Sequence, residues 1–298
     1  MLVRGDGVHF VERGPACAAG GQPTGVAGSA FPVPSAVRTA GAVPPVVLLH
    51  GQPGEVGHWD PVVESISGRY RVLACDRPGY GKSGGDAIGI WGNASVIAEE
   101  LARRQATPAV VVGHSFGGGV ALAMAIEHPR TVAALVLVGS IGGQGHLGIA
   151  DRLLGAPLLG DALTAFGMPL LSHLLPVASG LVEKVPGEPG RRLSAALPDA
   201  GLARLLDGRP GLWRSVVAEQ RAMLRELPEL ARRVGEVDVP TVVVVGAWDS
   251  VVPPTAQRAL AARIKGAELV EIPDIGHFVQ HDAPGSVAEA VDAVVQAV

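Results

Sequence analysis

The chain has 298 residues, 48% of them hydrophobic and 17% charged, which is enough apolar material for one large core, or a core with a subdomain, and excludes disorder as the main state. A net charge of -4 supplies no basic field, so neither nucleic acid nor anionic lipid is expected as a partner. Cys17 and Cys75 are the only cysteines, too few for a disulfide framework, and a reducing, cytoplasmic compartment is the expected setting. In chain order, Met1 to Asp6 has no apolar stretch behind its charge and does not read as a signal peptide. A short first strand is predicted around Val8 to Glu12, followed by an irregular Gly-, Pro- and Ala-rich insertion over residues 13–44. Continuous apolar runs then recur at Pro45 to Leu49, Tyr70 to Cys75, Ala109 to Val112, Val132 to Val138, Thr241 to Val245 and Glu268 to Ile272. Runs apolar on both faces suit parallel strands covered by helices on both sides. Helices are predicted over Asn93 to Gln105 with Asn93 as cap, Gly117 to Glu127, Pro254 to Lys265, and Pro284 to Val298.

This alternation predicts an α/β fold, a mostly parallel doubly wound sheet. It breaks between Ile141 and about Asp238, a stretch rich in Leu, Pro, Gly and Arg with helical patterns at Leu202 to Leu206 and Ser215 to Leu227. The stretch predicts a helical lid inserted after the sixth strand. The chain then divides into a core of residues 1–140 and 239–298 and a cap of residues 141–238. The apolar windows Pro108 to His128 and Val132 to Ala150 are interrupted or crowded with glycine, so they read as core and not as a membrane span.

Gly113-His114-Ser115-Phe116-Gly117 matches G-x-S-x-G, a sharp strand-to-helix turn that exposes a serine hydroxyl above a sheet edge. The string alone is a weak signal, since Gly81-Lys82-Ser83-Gly84-Gly85 matches it too. Ser115 follows an apolar strand and precedes an apolar helix, whereas no helix begins behind Ser83, so Ser115 is the predicted nucleophile. Gly113, Gly117, Gly118 and Gly119 permit the tight packing of such a turn. A serine hydroxyl needs a base, itself oriented by a third group. Asp249 follows the run Thr241 to Val245 and His277 follows the last strand, each at the carboxyl edge where Ser115 lies. Taken singly, Asp249 reads as a loop cap and His277 as a loop histidine. The order Ser, Asp, His beyond three separate strands makes them the predicted acid and base. Backbone N–H groups of Phe116 and of Gln52, in the turn His50-Gly51-Gln52-Pro53-Gly54, are the predicted oxyanion donors.

These segments resemble the α/β-hydrolase superfamily, lid-bearing serine hydrolase branch. The resemblance is carried by His50-Gly51-Gln52-Pro53, Asp76-Arg77-Pro78-Gly79-Tyr80-Gly81-Lys82-Ser83, Gly113-His114-Ser115-Phe116-Gly117-Gly118, Gly246-Ala247-Trp248-Asp249 and Gly276-His277-Phe278, spanning residues 45–282. It implies Ser115 as nucleophile, His277 as base, Asp249 as its orienting acid, Phe116 and Gln52 as oxyanion donors, and Asp76 to Ser83 as a structural loop. The long 13–44 insertion and Gln52, an amide at the pocket mouth, depart from the family pattern. The implied function is hydrolysis of an ester-type bond (carboxylic ester, lactone or thioester) in a small apolar substrate, with no cofactor and no metal. A homodimer is compatible with this reading. A pocket lined by Leu153, Leu154, Leu158, Leu159, Leu170, Leu171, Leu174 and Leu175 would exclude water.

Two other functions use the same residues. Carbon–carbon bond hydrolysis of a β-diketone or ring-cleavage product would favour an arginine that grips a carboxylate, and Arg191, Arg192, Arg204, Arg214, Arg221 and Arg225 are available. A biosynthetic ligand-shaping or acyl-transfer protein would keep the triad with hydrolysis incidental. Gly143-Gln144-Gly145-His146-Leu147-Gly148 and Gly79 to Gly84 each fit a dinucleotide fingerprint, but neither has the acidic residue about 20 positions later. His277 and His281, four apart, would ligate a shared metal only on a helix, which Pro273 and Gly276 oppose. Val216, Val217, Met223, Leu224 and Leu227 form an apolar stripe read as lid core.

Overall fold

In the computed structural model, residues 7–14, 43–143, 147–182, 184–196 and 212–298 are described. Their apolar runs form a seven-stranded sheet in the order β1-β3-β2-β4-β5-β6-β7. The strands are β1 (Phe10–Arg13), β2 (Val46–Leu49), β3 (Val72–Cys75), β4 (Ala109–His114), β5 (Val132–Val138), β6 (Thr241–Gly246) and β7 (Glu268–Ile272). All pairings are parallel except that of β1, which lies antiparallel on β3 at the sheet edge. Its partly exposed FVER sequence suits an edge strand, where charged side chains discourage further pairing.

Strand residues alternate between two apolar layers. Val47, Leu49 and Val111 face α2 (Ile90–Arg103), α3 (Phe116–Glu127) and α8 (Pro254–Ala261). Val46, Leu48, Val110 and Val112 face α1 (Asp60–Ile66) and α10 (Pro284–Gln296). This two-sided burial is why the strands read as unbroken apolar runs. Within β3, burial pushes the Cys75 thiol well up, so it stays protonated.

Between β5 and β6 lie α4 (Ile149–Gly155), α5 (Leu159–Val182), α6 (Gly187–Ala196) and α7 (Leu212–Arg233). The helical insertion expected after the sixth strand therefore follows the fifth, because β1 alone precedes β2 among the described residues. The predicted helix Leu202 to Leu206, Cys17, and nearly all of the 13–44 insertion lie outside the described residues. Asn93 does not cap α2: the helix begins at Ile90 after Gly89, and the buried Asn93 amide donates to the Ile88 and Gly89 carbonyls at 2.8 and 2.9 Å. Buried Ile90 extends the apolar stripe upstream of the expected start. Among the described residues, no helix is long and apolar enough to cross a membrane.

Candidate active site

Ser115 sits between the end of β4 and the start of α3 at φ 52° and ψ -117°, a conformation that a non-glycine residue holds only when its surroundings enforce it. Three backbone bonds do so. The Ser115 N–H donates to the Val138 carbonyl at 2.9 Å, and the Ser115 carbonyl accepts from the Gly118 and Ile141 N–H groups at 3.0 and 3.1 Å. Gly117 lets α3 lie against the end of β2, since a Cβ there would run into the Leu49 and His50 carbonyls. The competing Ser83 is occupied structurally: its hydroxyl donates to the Asp76 carbonyl and accepts the His9 N–H at 2.8 Å. The Asp76 carboxylate accepts the Val56 and Lys82 N–H groups, both at 2.8 Å, and pairs with His9 at 2.7 Å. The Asp76 to Ser83 segment is thus a braced loop.

Asp249 and His277 leave the same sheet edge, after β6 and β7. The His277 Nδ1–H donates to Asp249 Oδ2 at 2.8 Å, while Asp249 Oδ1 accepts the Val251 and Val252 N–H groups, both at 2.8 Å. The carboxylate is held from both sides, and the tautomer it selects leaves His277 Nε2 free to accept a proton. Gly139, at φ 49°, closes against this pair, and a Cβ there would stand 3.2 Å from both Asp249 Oδ2 and His277 Nδ1. His277 is also tied to the residue preceding Ser115: His114 Nε2–H donates to the His277 carbonyl at 3.1 Å, with ring centroids 4.7 Å apart. Phe278 stacks edge-on to the His277 ring at 5.5 Å.

Phe116 opens α3, so its N–H belongs to the unsatisfied first turn of a helix, where the helix dipole favours negative charge. In the other predicted donor turn, His50 Nδ1–H donates to the Gly51 carbonyl at 2.8 Å and His50 Nε2 accepts the Arg77 N–H at 3.0 Å. Burial, reinforced by the Arg77 charge, holds the His50 pKa well below that of an ordinary histidine. Burial does the same at His114, with His277 adding to it. Gln52 does not present a free amide at the pocket mouth, because its Nε2 donates to the Val216 carbonyl of α7 at 2.7 Å.

Beneath this turn lies a buried ion pair that sequence reasoning missed. Arg77 and Glu219 of α7 are both fully buried and joined through Nη1 and Oε1, with Nη2 to Oε2 at 3.2 Å and the Tyr80 hydroxyl donating to Oε2 at 2.8 Å. Arg77 also donates from Nε to the His50 carbonyl and from Nη2 to the Gly51 carbonyl, both at 2.9 Å. Its guanidinium lies over the Phe116 ring at 4.7 Å. The available signal was a glutamate at helical spacing among Leu212, Met223, Leu227 and Leu230, the buried face of α7. On that face Val217, Met223 and Leu227 are buried, and Met223 and Leu227 belong to the apolar layer shared with α2, α3 and α8.

The insertion departs from expectation in its leucines: Leu153, Leu158, Leu159, Leu170 and Leu174 stand exposed and are not packed as an apolar screen. The side chains of Leu171 and Leu175, and all of Arg204, lie outside the described residues. Arg221 is committed to Asp161 at 2.6 Å and to the Gly155 carbonyl at 3.1 Å, and Arg192 to Glu188 at 2.7 Å. The Gly143 to Gly148 fingerprint is interrupted by residues 144–146, also outside the described set. His281 lies in the one-turn helix α9 (Val279–Asp282) with its ring beside those of Phe278 and His58, while His277 Nδ1 is engaged by Asp249.

Comparison with known proteins gives the same picture of the fold. The chain is 33% identical to the 2-hydroxy-6-oxononadienedioate/2-hydroxy-6-oxononatrienedioate hydrolase of Klebsiella pneumoniae over 261 residues, 83% of this chain and 85% of that protein. It is 30% identical to the pimeloyl-[acyl-carrier protein] methyl ester esterase of Neisseria meningitidis serogroup C over 244 residues, 80% of this chain and 90% of that one. A thermophilic esterase from Thermogutta terrifontis superposes with a TM-score of 0.70 at 20% identity, over 97% of this chain and 93% of the other. Residues 44–284 match the family described as alpha/beta hydrolase fold, and the chain belongs to the alpha/beta hydrolase family.

Proposed function

We propose that the protein is a serine hydrolase that cleaves an ester-type bond of a small apolar substrate through an acyl-enzyme. The observation that carries this reading is the 2.8 Å bond from His277 to a doubly held Asp249, together with a serine kept at positive φ between β4 and α3. Ser115 Oγ attacks the carbonyl carbon as His277 Nε2 takes its proton. The Gln52 and Phe116 N–H groups hold the oxyanion, and His277 returns the proton to the departing alcohol or thiol. Water, deprotonated by His277, then attacks the acyl-enzyme, and collapse of the second oxyanion releases the acid and restores Ser115. Asp249 stabilises the imidazolium throughout without taking its proton. Residues 141–238 serve as the cap over this edge. The Neisseria relative, a methyl ester esterase by name, supports the ester reading.

Hydrolysis of a carbon–carbon bond is the second reading, favoured by the Klebsiella relative, whose name denotes a dicarboxylate. Such a substrate calls for an arginine fork. Arg221 and Arg192 are paired with Asp161 and Glu188, and Arg191, Arg214 and Arg225 are exposed, which weighs toward an uncharged acyl group.

The test is turnover of p-nitrophenyl esters of increasing acyl length by the native chain and by Ser115→Ala, from pH 5 to 9. The expected result is a rate that rises through an apparent histidine pKa and falls at least about a thousandfold in the variant. Full activity in folded Ser115→Ala, or turnover confined to dicarboxylate diketones, overturns the ester reading.

A further inference from the structure

Chemistry of this kind depends on where the Gln52 N–H points, and the local sequence leaves that direction free. The Gly51–Gln52 peptide is planar and trans, so its N–H is directed opposite to the Gly51 carbonyl. Two donors fix that carbonyl: His50 Nδ1–H at 2.8 Å and Arg77 Nη2 at 2.9 Å. Arg77 is in turn fixed by the Glu219 carboxylate, which also accepts the Tyr80 hydroxyl. Three residues before Glu219 on the same helix, Val216 accepts the Gln52 amide at 2.7 Å. Helix α7 of the insertion therefore grips the turn twice, once through the Gln52 side chain and once through the Gly51 carbonyl. The face of the Arg77 guanidinium rests on Phe116, the other donor residue.

We propose that Glu219 is a positioning residue for ester hydrolysis: it holds Arg77 against the Gly51 carbonyl, so that the insertion helix sets the direction of the Gln52 N–H that receives the oxyanion. The inference rests on the ester-hydrolase reading above. A carboxylate buried on a mostly apolar helix face costs desolvation, seen in the raised Glu219 pKa despite the adjacent Arg77. A purely packing role for that position would be filled better by leucine. The device also couples the insertion to the reaction, since displacement of α7 releases both grips together.

Glu219→Gln retains the shape and can donate or accept hydrogen bonds, but it removes the charge that anchors Arg77. With p-nitrophenyl esters, kcat is expected to fall about tenfold to a hundredfold, part of the 10²–10³ lost when an oxyanion donor is removed outright. KM should stay within about twofold, since the ground-state carbonyl gains little from the donor. The Ki of an alkyl trifluoromethyl ketone, which forms a tetrahedral oxyanion on Ser115, should rise in parallel with the loss in kcat.

Because Glu219→Gln leaves a buried guanidinium unpaired, the double variant Arg77→Met, Glu219→Leu is measured beside it. Removing both charges together preserves folding more readily than removing one, and this variant must show the same loss of kcat and of ketone affinity. Unchanged kcat and Ki in either folded variant overturns the inference alone, as does a rise in KM at unchanged kcat. A native chain that neither turns over the esters nor binds the ketone overturns the ester reading and this inference with it.

Discussion

At the scale of single residues, the site keeps two of its histidines neutral. His50 uses both ring nitrogens, donating to the Gly51 carbonyl and accepting from the Arg77 N–H, so a proton on Nε2 breaks the second bond. His114 is buried between His277 and the turn at Gly51, with Nε2–H on the His277 carbonyl. Burial lowers both pKa values in the native state, whereas in the unfolded chain each returns to about 6.5. Below that pH the unfolded state takes up protons that the native state refuses, so stability falls with falling pH, by up to about 1.4 kcal/mol per pH unit for each histidine. Glu219, whose carboxyl is raised by burial, acts with the opposite sign in part of the same window. The difference between native protein and His114→Gln therefore isolates the imidazole. In urea denaturation from pH 7.5 to 5, the native chain should lose more stability than the variant. Equal slopes would mean that His114 takes up a proton in the folded state.

At the scale of elements, close approach between α3 and β2 decides where Ser115 stands. A Cβ on Gly117 would meet the Leu49 and His50 carbonyls, backbone atoms that cannot swing aside. Gly117→Ala should cost about 1–3 kcal/mol through overpacking and, by pushing the His50 turn, should lower kcat. Gly285→Ala, in the first turn of α10 with open space around it, should leave activity intact and raise stability by about 0.4–1 kcal/mol. Equal stability of the two variants by denaturation would show that β2 yields.

The elements themselves were largely legible in the sequence. The run Val132 to Val138 is a strand with those bounds, because burial on its faces leaves no polar residue to blur it. Glu268 to Ile272 also keeps its expected bounds, although as an edge strand it carries Glu268 and Glu271 on a partly exposed surface. The helix α1 was not legible, since Gly57 and Pro61 resemble a turn, although a proline in the first helical turn loses no hydrogen bond. Ser115, Asp249 and His277 stood out because each follows a strand within a short local motif. The Arg77–Glu219 pair did not, because its partners are 142 positions apart and only the fold makes them neighbours.

At the scale of the whole molecule, the sheet separates two apolar layers that share few contacts except through the strands. Leu122 on α3 lies in one layer, and Ile66 on α1 lies in the other; both are fully buried. Truncation of either to alanine opens a cavity costing about 2–5 kcal/mol. Neither cavity has a wall in common with the other, since a sheet with its own side chains stands between. The double variant Leu122→Ala, Ile66→Ala should therefore lose the sum of the single losses to within about 0.5 kcal/mol. Leu260 on α8 makes the contrast, for it and Leu122 both flank Gly142, close enough that a Cβ there would touch each. Leu122→Ala with Leu260→Ala merges two voids beside one glycine, around which the walls can collapse together, so the combined loss should depart from the sum by more than about 0.5 kcal/mol. Chemical denaturation of the five variants measures both cycles. A large coupling across the sheet would mean that the strands transmit strain between the layers, and the helices on one side would then bear on the Ser115 turn from the other.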